Sequence, residues 1–511
     1  MSELPRSWTK IALADVGTWR GGGTPSKAKA EFWTNGNIPW VSPKDMKVSK
    51  LDTAQDLITE AAVDESATNL IAEGSVLIVT RSGILSHSLP VAVNTVPVAL
   101  NQDIKAVTPH GITDASYLRL TFECYEREIL NGCRKGGTTV HSIEFPSLLA
   151  FLIPLPPLAE QKRIVAKIEE LFSELDAGEE SLRRARRQLG VYRQSLLKQA
   201  FEGKLTASWR AQHPELLESP DQLLARIQAE RQGRYQQQLK EWEEACNQIE
   251  KIGNSVKKPT KPKLITPPQK QPDSTCIPNE WTWVDLGLLK QFSLYGPRFS
   301  SDDYSEDGVC VLRTSDIGES GKVNLHTAPR LRLNAVELHQ YGCQKGDILI
   351  TRTGSLGTLA VFNDDVDSIP GAYLIQYRLV AAHYAPFLYH FLRGPVGQSA
   401  LTGGGAGVGR PNLNAPTIEA IPIPLCSLPE QQEIVRMLDE QFEVIEQNER
   451  EIDAALKRSE ALRQSILKRA FTGQLVPQDP ADEPAAELLA SVRAAREEIK
   501  PVPKKKRASH T

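Results

Sequence analysis

Three glycine-rich, polar stretches hold the side chains of this sequence best placed to meet a ligand: WRGGGTPSK (19–27), RKGGTTVHS (134–142) and LTGGGAGVGRPNLN (401–414). Glycine lets backbone come close to a bound molecule. The neighbouring arginines and lysines can contact phosphate oxygens or the acceptor edge of guanine. That is the chemistry of gripping an anion and touching a base, not of making a bond. The strong catalytic signatures are missing. There is no Gly-x4-Gly-Lys-Ser/Thr loop and no Gly-x-Gly-x-x-Gly. No Asn/Asp-Pro-Pro-Tyr/Phe motif is present to hold a target amine, and the nine histidines are dispersed without zinc-type spacing.

The elements that carry these loops read as short strands. IPWVS, SVLIVTRSG and PVAVN lie in the first part of the chain; VCVLRTSD, DILITRTG and GAYLIQYRLV lie in the second. Short apolar runs punctuated by turn residues point to compact mixed domains.

The chain is also written twice. Residues 153–205 align with 423–475 without a gap. Ile-Pro-Leu, Glu160-Gln161, Ile164-Val165, Phe172, Arg193-Gln194-Ser195 and Ala200-Phe201 all recur, the last pair as Ala470-Phe471. Upstream, Pro5 and Trp8 echo Pro278 and Trp281, and VLIVTRSG echoes ILITRTG with one residue deleted. The period is too long for a solenoid and describes an internally duplicated pseudo-dimer.

Each repeat block reads as one long helix. A heptad seam runs through Ile164, Ile168, Leu171, Leu175, Gly178, Leu182, Ala185, Leu189, Tyr192 and Leu196. The matching seam is Ile434, Leu438, Gln441, Ile445, Asn448, Ile452, Ala455, Ser459, Leu462 and Ile466. Prolines precede both helices, and Gly203 and Gly473 stand where a helix stops. Each rod would span roughly 60 Å at about 1.5 Å per residue. Two seams of matching length are expected to pair with each other. Residues 209–250 read as a further polar helix, 257–272 as an extended Pro/Lys-rich linker, 483–499 as a short helix, and PKKKR near the end as a solvated basic tail.

Composition narrows the function classes. A length of 511 residues accommodates about three domains. No apolar run reaches the roughly 18 residues of a membrane span, and MSELPRSWTK lacks a secretory core. Seven scattered cysteines fit free thiols in a reducing cytoplasm. With a net charge of −3, nucleic acid would have to be met by local patches. A duplicated chain without catalytic signatures points to a scaffold or a reader.

IPLPPLAEQKRIVAKIEELF with RQSLLKQAFEGKLTASWR resembles the specificity subunit of type I restriction–modification enzymes, and IPIPLCSLPEQQEIVRMLDEQF with RQSILKRAFTGQL resembles the same element. PRSWTKIALADVG, PNEWTWVDLG and the TRSG/TRTG strands are similar to that family's target-recognition domains. The resemblance implies an α+β fold class: two mixed α/β target-recognition domains joined by a long antiparallel two-helix coiled coil, with a pseudo-twofold internal duplication. The expected parts are target-recognition domain 1 (1–152), conserved helix 1 (153–205), a polar helix and linker (206–272), target-recognition domain 2 (273–422), conserved helix 2 (423–476) and a tail (477–511).

It further implies that each variable domain reads one half of a split, asymmetric double-stranded DNA site while the paired helices fix the gap. Two modification (methyltransferase) subunits and two restriction (translocase/nuclease) subunits would dock on this frame. They would bring S-adenosylmethionine, ATP and Mg, leaving this chain without catalysis, cofactor or metal of its own. On this reading Lys27, Lys44, Arg81, Ser82, Lys135 and Thr138 contact DNA from the first domain; Arg298, Arg313, Arg352, Thr353 and Arg410 do so from the second. The repeated residues Glu160, Gln161, Arg193, Gln194 and Phe201, with Glu430, Gln431, Arg463, Gln464 and Phe471, are expected to face the modification subunits. The rival is a protein-interaction scaffold with two heads on a coiled coil and no DNA role. Neighbouring genes for an adenine methyltransferase and a helicase-like nuclease would separate the two.

Overall fold

In the computed structural model the described residues are 4–135, 141–252, 261–262, 277–318, 321–353, 356–403 and 413–498. The chain divides into two compact units. One comprises Met1–Arg183 with Ile452–Thr511; the other is Arg184–Glu451. Each unit takes one head and one half of each long helix, so these divisions cut across the helices rather than between helix and head.

The first head is built on a five-stranded sheet in the order Gly17–Gly21, Ile104–Pro109, Val76–Val79, Val91–Asn94, Lys50–Leu51. A four-stranded sheet runs Asp56–Ile58, Ile38–Val41, Val98–Leu100, Leu70–Ile71, with Ile38–Val41 and Val98–Leu100 parallel. The second head repeats the plan in smaller form. Its four-stranded sheet runs Lys290–Tyr295, Leu374–Leu379, Asp347–Thr351, Leu359–Phe362. Its three-stranded sheet runs Arg330–Leu331, Val309–Leu312, Ser368–Pro370, the last two strands parallel. The strands before the two TR(S/T)G turns, Val76–Val79 and Asp347–Thr351, are buried along their whole length. That burial on both faces explains why they read as continuous apolar runs instead of alternating.

Each head closes on itself before its helix leaves. Thr9–Ala12 pairs antiparallel with Leu152–Leu155, and Thr282–Asp285 pairs with Pro422–Leu425. The long helices, Leu158–Phe201 and Leu428–Ala470, follow directly. Both end as expected, with Gly203 at φ +69° and Gly473 at φ +74°. The polar segment after the first long helix is helical at Ala207–Gln212 and Pro220–Ile252, and the short C-terminal helix is Ala485–Glu498. Most of the Pro/Lys-rich linker and the PKKKR tail lie outside the described residues.

The two helices pair antiparallel within each unit. In the first, Ile164 and Ile168 near the start of one helix share a core with Leu467, Ala470 and Phe471 at the end of the other. In the second, Leu196, Leu197 and Ala200 pack with Ile434, Leu438 and Phe442. The seam differs from the sequence pattern at five places. Gly178, Tyr192, Gln441 and Asn448 are exposed, as is Leu462, while Glu179, Arg193, Phe442, Glu449 and Arg463 turn inward. A helix at 3.6 residues per turn drifts about 20° per heptad against a strict 3.5 repeat. Here the drift puts an ionic layer at the seam: Arg193 meets Glu449 at 3.3 Å in one unit, and Arg463 meets Glu179 at 3.5 Å in the other. Arg193 also lies over the Phe442 ring and Arg463 over Phe172. Counting apolar residues alone makes such a layer look like a gap.

Candidate nucleic-acid interface

In both heads four strand ends open into turns along one edge, and backbone hydrogen bonds tie those turns together in the same way. Asn101 N–H donates to Val41 O at 2.9 Å, and Gly371 N–H donates to Leu312 O at 2.8 Å. Arg81 N–H donates to Asp103 O at 3.2 Å, and Arg352 N–H donates to Tyr373 O at 3.0 Å. The turn after Ile38–Val41, and that after its equivalent Val309–Leu312, is fixed by an aspartate. Ser42 N–H donates to Asp45 and Arg313 N–H to Asp316, both at 2.9 Å. The first turn needs glycine. A Cβ on Gly22 would stand 2.1 Å from Asn101 O, and one on Gly296 2.1 Å from Gly371 O.

This register makes four positions equivalent. Thr24 corresponds to Arg298, Arg81 to Arg352, Gln102 to Ala372 and Asp103 to Tyr373. One is arginine in both heads; the other three differ. In the first head the Arg81 side chain lies 3.9 Å from Asp103 and remains largely exposed. In the second, Arg352 stacks over the Tyr295 ring at 4.5 Å. Exposed Tyr373, half-exposed Tyr304, Arg298, Arg313 and Thr314 line a single groove there. A cation on an aromatic face beside exposed hydroxyls suits a stacked base or a sugar-phosphate chain.

The positions named from the sequence separate into groups. Arg81, Ser82 and Lys135 come together on a three-stranded sheet, where Ser142 pairs with Arg81 on one side and with Lys135 on the other. Lys135 meets Glu144 at 3.0 Å, which holds the Glu144 carboxyl below its ordinary range. Ser82 accepts from Ile84 N–H and caps the short turn that follows. Lys44 is exposed on the aspartate-fixed turn, 3.7 Å from Asp56. Lys27 is exposed in the loop three residues past Thr24. Thr353, half-buried, follows Arg352. Arg313 is occupied within the fold. It donates to Asp316 from Nε and Nη2 and to Thr327 O from Nη2. Burial works to raise the Asp316 carboxyl, but the Arg313 and Thr327 hydrogen bonds outweigh it and hold it low. Thr138 and Arg410 lie outside the described residues.

The repeated residues expected to face outward do not all do so. Glu160, Gln161, Phe201, Glu430, Gln431 and Phe471 are buried in this chain's own core. They join helix to head. Trp8 Nε1–H donates to Glu160 at 3.0 Å, and Trp281 Nε1–H donates to Glu430 at 3.0 Å. Gln478 completes the first carboxylate at 2.6 Å; Thr206 and Arg210 complete the second. Gln161 bonds Ile112 O, Pro156 O and Asp114 N–H. Phe471 packs on Tyr117 and Tyr125, and Phe201 on Phe387 and Phe391. These contacts account for the Pro-x-x-Trp echo at the start of each head. Pro5 sits against Gly473 and Pro278 against Gly203, where glycine alone leaves room for the proline ring. Arg193 and Arg463 serve the seam. Gln194 and Gln464 are exposed, as are Ser195, Lys198, Ser465 and Lys468 beside them.

A family model for the type I restriction modification DNA specificity domain matches residues 5–182 and again 280–458. The chain belongs to that family. The double match falls on the two copies seen in the repeat. Over 158 residues it is 47% identical to the EcoR124I/EcoR124II specificity subunit of Escherichia coli, a match covering 31% of this chain and 39% of that one. It is 23% identical to the EcoKI specificity subunit of Escherichia coli K12 over 97% of this chain and 96% of the relative. A solved chain described under complex assembly and conformational transition of the type I R-M system covers 93% of this chain at a TM-score of 0.63 and 18% identity. At that identity it speaks for the fold alone. No described helix is long and apolar enough to cross a membrane.

The candidate positions Thr24, Gln102, Asp103, Ala372 and Tyr373 are not among those the sequence singles out. Ranking by positive charge passed over them, and the two heads align at these turns only through the hydrogen-bond frame. The glycines at 22 and 296, each closing a strand, were the available signal.

Proposed function

We propose that this chain is the sequence-reading subunit of a type I restriction–modification complex and is itself non-catalytic. Its two heads read the two halves of a bipartite, asymmetric double-stranded DNA target. The observation that carries this is one edge frame built twice, with a constant arginine and a turn-fixing aspartate but unlike side chains at the other matched positions. Two alike heads on separate chains would call for a palindrome. Two unlike heads in one chain call for a split, asymmetric site. Arg81 and Arg352 position the phosphate backbone, with Lys27, Lys44, Ser82 and Lys135 adding contacts in the first head and Arg298 and Thr353 in the second.

The target is handed to two modification subunits for adenine-N6 methylation and to two restriction subunits for ATP-dependent cleavage. S-adenosylmethionine, ATP and Mg belong to those partners, and the complex works in the cytoplasm. The exposed part of the repeat, Gln194 with Ser195 and Lys198 and its counterpart Gln464 with Ser465 and Lys468, offers both modification subunits the same surface.

Selection of the full chain on a pool of randomised DNA duplexes tests this. The expected product is two unlike blocks of fixed bases separated by a constant unread gap. A pool that enriches no motif contradicts it.

A further inference from the structure

We infer that Gln102 is the adenine-reading residue of the first head, held in reading geometry by Thr24 and Asp103. This rests on the DNA-reading function proposed above and adds to it a residue and a base. Gln102 is exposed at the tip of the turn after Val98–Leu100, on the edge that carries Arg81. Its amide is gripped from both ends. The Thr24 hydroxyl donates to Oε1, and Nε2 donates to Asp103 Oδ2 at 3.4 Å. A carboxylate only accepts, so the nitrogen end must face Asp103 and the oxygen end Thr24. Asp103 is itself fixed: Asn101 Nδ2–H donates to it at 3.2 Å, its own N–H donates to Asn101 Oδ1 at 3.0 Å, and Arg81 lies alongside.

An amide oxygen accepts two hydrogen bonds and an amide nitrogen donates two. The grip uses one of each. What remains is one acceptor and one donor on the same amide, the kind of pair that matches adenine N6–H and N7 in the major groove. Prior fixation also lowers the ordering cost of making the contact.

The second head cannot make this contact. Its equivalents of Thr24, Gln102 and Asp103 are Arg298, Ala372 and Tyr373, which hold no amide. The adenine preference therefore belongs to one half-site only.

The test is selection of the full chain, wild type and Gln102→Ala, on the same randomised duplex pool. At one position of one block, Gln102→Ala should lower the preference for adenine roughly ten- to a hundredfold, the usual discrimination of a bidentate base contact. The other block should be unchanged, which also reports that the variant is folded. Thr24→Ala should relax the same position less, and Thr24→Ser should restore it, as expected of a positioning hydroxyl. A Gln102→Ala motif identical to wild type overturns the inference while leaving the reading function intact. So does equal loss in both blocks or loss of all binding, because a base contact acts at one position. A wild-type pool without any motif removes the reading function, and this inference with it.

Discussion

Arg81 and Arg352 hold one place in two edges that otherwise differ, each donating its backbone N–H to the residue at the same partner position. A group kept constant while its neighbours change suits the part of DNA that does not change, the phosphate. Replacing either arginine with alanine should weaken binding to all sequences alike and reduce the salt slope by about 1, leaving the selected motif unaltered. Binding titrations at several salt concentrations measure this; a changed motif would make these arginines base readers. The joint carboxylates give a second prediction at this scale. Glu160 and Glu430 are buried and depend on tryptophan N–H groups. Burial pushes the Glu160 carboxyl up even though Trp8 and Gln478 donate to it. Trp8→Phe or Trp281→Phe leaves a buried acceptor short of a donor and should cost about 1–3 kcal/mol in denaturant unfolding.

Among the elements, the paired helices carry their charge inside the seam, not only outside it. Glu179 accepts from Ser459 and lies against Arg463, and these interactions hold its carboxyl below its ordinary range. A depressed carboxylate adds stability above its unfolded value, and that stability is lost as pH falls through the folded one. Acidification from pH 6 to pH 3 should therefore destabilise the wild type more than Glu179→Gln, read as the pH dependence of thermal unfolding. Equal pH dependence would remove Glu179 from the seam's energetics. Helix existence and ends were legible in the sequence because apolar spacing, prolines and stop glycines are local signals; matching seam lengths suggested pairing, and the antiparallel sense came only from the family resemblance. The ionic layer was not, since Glu179, Arg193, Glu449 and Arg463 look like surface residues until their partners on the other helix are known. The repeated Glu-Gln pairs misled for the same reason. Recurrence marked them as important, and only burial shows that they serve the joint of helix and head.

For the whole molecule, the duplication keeps what holds a head to its helices and frees what the head presents. Pro5, Trp8, Glu160 and Gly473 form one joint; Pro278, Trp281, Glu430 and Gly203 form its copy. Among the described residues the matched edges share backbone bonds, glycines, a turn-fixing aspartate and one arginine. That division is why the sequence repeat is strong in the helices and faint in the heads, and why the candidate DNA contacts were only partly legible. Charge picks out Arg81, Arg352, Arg298 and Arg313 alike, and only the structure shows that the Arg313 guanidinium is engaged by Asp316 and Thr327. The central claim is that one chain reads two unlike half-sites for partners that modify adenine. Methylation-aware sequencing of a genome in a cell carrying this chain with its modification subunits tests it most directly. The account predicts one split, non-palindromic motif with a modified adenine in each half, on opposite strands. A palindromic motif, a single unbroken one, or unchanged methylation when this chain is deleted would contradict it.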